Sequence, residues 1–258
     1  MDFSAYQGYI FDLDGVLWLG QQPIPGAAKS VSALKKAGKR IRYLTNNTTV
    51  HRETYQQRLS GMGIEATIEE VVTSGYAAAK MLRDKYGPGK AYVLGTDELR
   101  REVCDEGHSL VQEQADFVIV GLTFDFTYHD LDQAFINISR HGSLFVACAE
   151  NPTFIKSDGL HMGTGSYVKA LAYALGKAPD LVSGKPCAPI MQLALSSIGL
   201  EASQCLMVGD TIDVDLMPAA AAGMHTLFVL SGSDKEEDLR RSAFSPTAVI
   251  SSLAALTL

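Results

Sequence analysis

Two aspartates stand two residues apart where the first apolar segment of the chain ends. The stretch FDLDGVLWLG, residues 11–20, follows GYI and contains Asp12 and Asp14. In an extended segment residues i and i+2 point to the same side, so the two carboxylates share a face while Leu13 points to the other. Two like charges this close repel each other unless a cation lies near them. Alone, the pair also fits an ordinary acidic strand-to-loop turn.

Three further apolar segments end in residues suited to phosphate chemistry. IRYLTNN ends with Thr45 and Asn46, LVSGKP carries Lys185, and CLMVGD ends in Asp210. Taken singly, these residues also fit a helix N-cap, a solvated lysine and an acidic cluster at a helix start. Together they suit phosphoryl transfer, which uses a carboxylate nucleophile, a divalent cation and donors for the phosphate oxygens. Oxygen-only ligands favour Mg²⁺.

Short apolar runs alternate with helical patterns and must position these residues. This rhythm predicts parallel strands joined by helical crossovers, a doubly wound, Rossmann-like α/β sheet. The carboxyl ends of such strands converge on one crevice. Pro218 fits the helix through DLMPAAAA only if that helix begins near Asp215. The strand candidates are YIF, IRYL, VV, AYVLG, DFVIVGL, SLFVACA, CLMV and TLFVL, and the helical patterns lie near 27–37, 52–62, after Ser74, and near 96–106, 129–140 and 188–198.

A middle portion of the chain has strand and helix candidates of its own. KYGPGK, residues 85–90, and GKAPD, residues 176–180, bracket it with Gly, Pro and Lys, as linkers often do. We therefore expect a catalytic core formed by residues 1–78 and 181–258, with an α/β domain inserted at residues 79–180.

Composition limits the partners and the compartment. The formal net charge of −7 argues against nucleic-acid binding, which usually needs a surplus of Lys and Arg. The four cysteines are widely spaced with no Cys/His cluster, which predicts free thiols and no zinc site. No window approaches the ~18 uninterrupted apolar residues of a membrane span, and the N-terminal stretch lacks a signal-peptide pattern. These features predict a cytoplasmic protein without a membrane partner.

The motifs DLDGVLW, TNN, GKP and GDTIDVD follow the order of the haloacid dehalogenase (HAD) superfamily. Through TSGYAAAKML, YVLG, VGLTFDFTYHDL and SGS, the sequence resembles the p-nitrophenylphosphatase-like branch over nearly its whole length. The resemblance implies a HAD core with a large α/β cap inserted between the second and third motifs. It also implies a Mg²⁺-dependent phosphatase of small phosphorylated metabolites, such as sugar phosphates, phosphoglycolate or p-nitrophenyl phosphate. Caps of this type often dimerise, so a homodimer through the cap is compatible with it.

The resemblance implies a role for each motif residue. Asp12 would be the nucleophile that forms an aspartyl-phosphate. Asp14 would protonate the leaving alkoxide and then activate water. Thr45, Asn46 and Lys185 would hold the phosphate.

A metal site is implied in the same way. Mg²⁺ would be bound by the carboxylates of Asp12 and Asp210 and by the backbone carbonyl of Asp14. Either Asp213 or Asp215 would interact with the metal site indirectly, through water or Lys185.

The cap sequence departs from the family pattern. Relatives commonly read Thr-Asn-x-Asp after the last cap strand, whereas CAEN, residues Cys148 to Asn151, stands here. The turn GLHMGTG has Met162 where Pro is usual. The loop expected to face substrate is thus atypical, and the family does not indicate the physiological substrate. Trp18, just past the catalytic loop, either contacts substrate or packs.

Three other functions share part of this pattern. A phospho-receiver domain also holds a phospho-aspartate with Mg²⁺, but it uses a middle strand and is about half this length. A non-catalytic sugar-phosphate sensor predicts a lost motif, and none is lost. A phosphomutase is the nearest rival, distinguished by transfer to a sugar rather than to water; such mutases usually carry a smaller cap at another insertion point.

Overall fold

The structure, a computed structural model, describes residues 3–156 and 159–256. Its strands are β1 Gly8–Asp12, β2 Trp18–Leu19, β3 Gln22–Pro23, β4 Arg40–Thr45, β5 Val71–Thr73, β6 Lys90–Leu94, β7 Ser109–Leu110, β8 Phe117–Val120, β9 Leu144–Ala147, β10 Thr153–Lys156, β11 Gly159–Met162, β12 Leu181–Val182, β13 Cys205–Gly209, β14 His225–Val229 and β15 Ala248–Ile250. Its α-helices are α1 Ala27–Lys36, α2 Arg52–Gly61, α3 Ser74–Tyr86, α4 Asp97–Asp105, α5 Tyr128–His141, α6 Thr164–Leu175, α7 Ala188–Ile198, α8 Met217–Ala221 and α9 Glu236–Arg241.

The chain forms two compact units. Unit 1 comprises Met1–Thr45, Tyr55–Val72 and Lys185–Leu258, and unit 2 comprises Asn46–Thr54 and Thr73–Gly184. Residues 85–90 and 176–180 therefore both lie inside unit 2. The role of unit 2 as a cap stays a prediction.

Unit 1 is built on a six-stranded sheet with the order β15-β14-β13-β1-β4-β5. β1 pairs in parallel with β13 on one side and with β4 on the other. The chain leaves β1 toward β4 and later returns to the opposite side at β13, so the strand order reverses between β1 and β13. In open α/β sheets the ligand crevice lies at such a switch point, outside the carboxyl ends of the strands.

The central strands of unit 1 are apolar because both faces of the sheet are covered. Every residue of β1 and of β13 is buried. The rings of Tyr9, Phe11 and Tyr43 stack in sequence on β1 and β4, with centroids 6.1 and 6.2 Å apart. Buried parallel strands are expected to read as continuous apolar runs, which explains why YIF and CLMV were recognisable in the sequence.

Unit 2 has its own parallel sheet with the order β12-β9-β8-β6-β7. One apolar cluster on this sheet includes Val118, Phe145 and Tyr167. A second cluster includes Leu82, Val93 and Ile119. The antiparallel pair β10–β11 adds a hairpin to this unit. Two independent clusters give unit 2 a core of its own.

The segment Asn46–Thr54 packs with unit 2 through buried charges. The backbone N–H of Arg52 donates to Glu102 Oε1 at 2.7 Å, and its guanidinium Nε donates to Glu102 Oε2 at 3.0 Å. His51 Nε2 lies 3.0 Å from Asp105 Oδ2. Unit 2 therefore includes this segment in addition to Thr73–Gly184.

The predicted α/β fold is confirmed, and each strand and helix candidate of the sequence corresponds to an element of the structure. Pro218 lies in the first turn of α8, as its chemistry requires, but a π-helical turn over Ile212–Leu216 precedes the helix. The sequence did not predict α6 or the β10–β11 hairpin. Within the described part of the chain, none of the helices combines the length and apolar character that a membrane crossing requires.

Candidate active site

Lys185 joins two aspartates at the carboxyl edge of the unit 1 sheet. Asp12 is the last residue of β1, and Lys185 Nζ donates to Asp12 Oδ1. The same ammonium donates to Asp215 Oδ1 at 2.7 Å. All three side chains are buried. The sequence left Asp213 and Asp215 open as the outer partner, and the structure places Asp215 against Lys185 while Asp213 is exposed.

Asp210 follows β13, the neighbour of β1, and a tight turn holds its carboxylate. The backbone N–H of Ser233 donates to Asp210 Oδ2 at 2.6 Å. Two glycines lie against the same carboxylate: a Cβ at Gly15 would lie 2.3 Å from Asp210 Oδ2, and a Cβ at Gly232 would lie 1.9 Å from it. Only glycine allows the backbone to approach this closely, so the turn is built around Asp210.

Three buried carboxylates form a group that fits a hard divalent cation. One oxygen from each of Asp12, Asp210 and Asp215 lies within 4.8 Å of the others. Asp215 Oδ1 accepts from Lys185, and its Oδ2 accepts from the Thr211 hydroxyl at 2.6 Å. Both Asp215 oxygens are thus engaged, which leaves Asp12 and Asp210 as the better cation ligands. Three carboxylates against one ammonium leave a negative excess that a divalent cation would offset.

Burial and mutual repulsion shift the pKa values of this group. Desolvation raises the pKa of Asp12 well above its usual value despite the neighbouring Lys185 ammonium. Desolvation and the charge of Asp215 raise the pKa of Asp210 to about 6. Burial alone would lower the pKa of Lys185, but Asp12 and Asp215 together raise it above its ordinary value. The cluster therefore favours a cation in its centre.

Asp14 lies in the loop after β1 and differs from the buried carboxylates. Its side chain reaches solvent, although surrounding protein atoms partly desolvate it and raise its pKa. Asp14 Oδ1 accepts a hydrogen bond of 2.9 Å from Trp18 Nε1. Trp18 is fully buried and packs inside unit 1.

The two residues predicted to hold phosphate from TNN belong to different units. Thr45 is buried at the end of β4, one residue beyond the Asp12–Leu44 register pair. Asn46 belongs to unit 2, where its backbone oxygen accepts from the Ser74 hydroxyl at 2.9 Å. A Cβ at Gly184 would lie 2.7 Å from Asn46 Oδ1, so Asn46 packs on the residue that precedes Lys185. The phosphate-binding roles stay predictions.

Sequence reasoning missed the two groups that orient the carboxylates. Thr211 supports Asp215, and the Ser233 N–H supports Asp210. In the sequence, the stretch SGS indicates only the branch. Its place just past the strand run TLFVL could have indicated that its amides lie at the same sheet edge as Asp210.

The loop from Cys148 to Asn151, whose sequence departs from the family pattern, is closely packed in unit 2. Cys148 is fully buried, and burial raises the pKa of its thiol to about 12. The backbone oxygen of Asn151 accepts from Gly165 N at 2.9 Å. Cβ atoms at Gly163 and Gly165 would lie 2.4 and 2.1 Å from the backbone oxygens of Asn151 and Glu150. The two glycines are required for this approach, whereas Met162 is exposed.

Comparisons with known proteins give the family. A model of haloacid dehalogenase-like hydrolases matches residues 9–109, and a second model of HAD-like hydrolases matches residues 182–256. An acid sugar phosphatase of Staphylococcus haemolyticus is 34% identical over 94% of this chain and 92% of its own length.

Solved structures agree with this assignment. A p-nitrophenyl phosphatase from Archaeoglobus fulgidus superposes with a TM-score of 0.92 at 33% identity, covering 96% of this chain and 97% of that one. A glycerol phosphate phosphatase from Mycobacterium tuberculosis, solved with magnesium, gives a TM-score of 0.87 at 34% identity, covering 96% of this chain and 75% of that one. The chain belongs to the haloacid dehalogenase-like hydrolases, in the branch that resembles the p-nitrophenyl phosphatases.

Proposed function

We propose that this protein is a Mg²⁺-dependent phosphatase that hydrolyses small phosphate monoesters through an aspartyl-phosphate on Asp12. The observation that carries the proposal is the buried group of Asp12, Asp210, Asp215 and Lys185 at the carboxyl edge of the unit 1 sheet. Relatives named for acid sugar phosphatase, p-nitrophenyl phosphatase and glycerol phosphate phosphatase activity support a phosphoric monoester hydrolase of small organic phosphates.

The first half of the reaction transfers the phosphoryl group to Asp12. A carboxylate oxygen of Asp12 attacks phosphorus, the bond from phosphorus to the ester oxygen breaks, and the leaving alkoxide takes a proton from Asp14. Lys185 keeps the Asp12 carboxylate oriented and reduces its repulsion from the phosphate dianion. Asp14 is exposed to solvent whereas Asp12 is buried, which supports Asp14 as the group that gives a proton to the leaving group.

The second half returns Asp12 to its starting state. Asp14, now a carboxylate, takes a proton from water as the water oxygen attacks phosphorus. The bond between phosphorus and the Asp12 oxygen breaks, and inorganic phosphate leaves. General acid–base help of this kind typically contributes about 10²–10⁴-fold.

Asp12 and Asp210 are the side chains that would hold Mg²⁺, with the Asp14 backbone carbonyl as the further predicted ligand. When bound, Mg²⁺ would offset the charge of the phosphate and of the carboxylate group. Asp215 acts through Lys185, whose ammonium donates to it, and Asp215 is itself held by the Thr211 hydroxyl.

Asp12→Asn tests the mechanism. The amide is nearly isosteric but is a poor nucleophile, so release of inorganic phosphate from p-nitrophenyl phosphate should fall by several orders of magnitude while circular dichroism stays native. Wild-type protein should lose activity in excess chelator and regain it with Mg²⁺. Retention of more than about a tenth of the activity by the variant, or full wild-type activity in chelator, contradicts the proposal.

The same assay separates a phosphatase from a phosphomutase. A phosphatase releases one inorganic phosphate for each alcohol that it releases. A mutase instead transfers the phosphoryl group to a sugar hydroxyl. The cytoplasmic location and a homodimer through the cap stay predictions. Phosphate release from a panel of sugar phosphates, phosphoglycolate, nucleotides and pyridoxal phosphate would identify the physiological substrate.

A further inference from the structure

Trp18 is the single tryptophan of the chain, and besides packing it donates a hydrogen bond to Asp14. The side chain is fully buried, yet its indole N–H points to a carboxylate that reaches solvent, with Trp18 Nε1 and Asp14 Oδ1 2.9 Å apart. The two residues are also tied through the backbone, because the N–H of Gly15 donates to the Trp18 carbonyl at 2.7 Å. A buried donor thus binds the acid–base candidate of the site, a carboxylate that is itself exposed.

Two side chains fix the plane of the indole. The Arg58 guanidinium carbon lies 3.9 Å from the centroid of the Trp18 ring, a cation–π contact. The Tyr55 ring lies parallel to the indole, with centroids 6.3 Å apart and 5° between planes. Arg58 also donates to the Gly20 carbonyl, which closes the same loop. With its ring fixed by Arg58 and Tyr55, the indole N–H has a fixed direction.

We infer that Trp18 is a positioning residue for the acid–base step, in which its indole N–H fixes Asp14 so that Oδ2 is the oxygen that gives and takes the proton. The indole is a donor only, and Oδ1 is its acceptor. The carbonyl oxygen of a carboxyl group accepts more strongly than its hydroxyl oxygen, so the proton resides on Oδ2. The inference rests on the proposed acid–base role of Asp14. It adds that Oδ2 is the oxygen that exchanges the proton and that Trp18 orients it.

The dependence on leaving group tests this role. Trp18→Phe keeps an aromatic ring but removes the N–H. Departure of p-nitrophenolate does not need a proton, whereas departure of the glycerol alkoxide does. The variant should therefore lower kcat/KM, which reports on the phosphorylation step before the shared hydrolysis of the aspartyl-phosphate, about tenfold more for glycerol phosphate than for p-nitrophenyl phosphate. Leu34→Ala, a buried residue of α1, is the control for lost packing and should leave the ratio of the two rates unchanged.

Asp14→Asn separates failure of the inference from failure of the proposed function. It should show the same selective loss, and adding Trp18→Phe to it should not change the ratio further, because the group being positioned is already absent. If Asp14→Asn is selective but Trp18→Phe is not, the positioning role is wrong and the proposed function stands. If Asp14→Asn is not selective, the acid role of Asp14 is wrong and the inference falls with it.

The hydrogen bond between Trp18 and Asp14 can also be tested by NMR in proteins that keep Trp18, so this test does not depend on the fold of the Trp18 variant. Because the chain has one tryptophan, a ¹⁵N-labelled sample gives one indole N–H resonance. Asp14→Ala removes the acceptor and should move this resonance and speed its hydrogen exchange, while Asp213→Ala, at an exposed carboxylate, should leave it in place. An indole resonance that is the same in wild type and Asp14→Ala overturns the inference.

Discussion

At the scale of single residues, two glycines decide whether Asp210 can serve as a metal ligand. Gly232 and Gly15 lie so close to the Asp210 carboxylate that a Cβ at either position would overlap it. Gly15 also has a φ of +84°, which strains any other residue. Gly232 is not among the residues with positive φ, so a substitution there tests the lack of space alone.

Gly232→Ala should weaken the metal site without disturbing the strands. Its methyl group must displace Asp210 or the turn that carries the Ser233 N–H, and loss of such supporting contacts typically costs about 10–100-fold in metal affinity. Mg²⁺ titrated into the variant, followed by calorimetry and by the Mg²⁺ dependence of p-nitrophenyl phosphate hydrolysis, should show this loss. Gly61→Ala is the matched control, since a Cβ there meets nothing within 4 Å. Unchanged Mg²⁺ affinity in Gly232→Ala means that Asp210 does not bind the metal.

What the sequence predicts at this scale depends on topology. Asp12, Lys185 and Asp210 were expected to lie near each other because they follow apolar runs, and parallel strands bring their carboxyl ends to one edge. The structure brings these three into one group in unit 1. The choice between Asp213 and Asp215 depends on a π-helical turn that no spacing rule signals, since this turn is rare.

At the scale of elements, buried charges fix a loop to a helix. The segment 46–54 contacts α4 through ion pairs of different character. Arg52 and Glu102 are both buried, whereas Arg101 and Glu53 are about half exposed. The Arg52 guanidinium also lies 3.5 Å from the ring centroid of Tyr76. The buried pair should therefore contribute most of the stability of the contact between this segment, which begins with Asn46, and α4.

Glu102→Ala should destabilise unit 2 strongly. It leaves Arg52 and His51 buried without their shared carboxylate, and removing one partner of a buried pair typically costs about 3–5 kcal/mol. Thermal unfolding, together with hydrogen exchange of residues 46–54, would measure the loss of stability and locate it. Arg101→Ala removes the exposed pair between the same two elements and should change the melting temperature little. Equal effects of the two variants would show that the buried pair has no special role.

Elements with strong periodicity were predictable, and those that depend on partners were not. Helix α7 was expected near residues 188–198 and has those bounds, because its apolar positions recur at helical spacing and Pro189 lies in its first turn. Strand β11 is mostly exposed, and neither β10 nor β11 has the apolar run that marks a buried strand. Helix α6 begins directly after Gly163 and includes Gly165, two glycines that read as a turn in the sequence.

At the scale of the whole molecule, we predict that unit 1 carries out the chemistry and unit 2 selects the substrate. The carboxylate group with Lys185 lies in unit 1, and unit 2 has an independent sheet and core. A unit that does no chemistry but selects substrate should affect discrimination among leaving groups through differences in transition-state binding. The loop from Cys148 to Asn151 is the predicted substrate loop, and Asn151 is exposed in it.

Replacing Asn151 by Asp restores the residue common in relatives and tests this division. The Asn151 side-chain amide donates to the Thr153 carbonyl at 3.0 Å, a bond that a carboxylate is unable to make. Asn151→Ala loses the same bond without adding charge, so it is the matched control. We expect Asn151→Asp, but not Asn151→Ala, to change the order of preference within a panel of phosphate monoesters. Hydrolysis of acetyl phosphate, whose leaving group is minimal, should change little in both variants. If both variants lose acetyl phosphate hydrolysis while the order of preference stays the same, Asn151 serves folding or catalysis, and its loop does not select substrate.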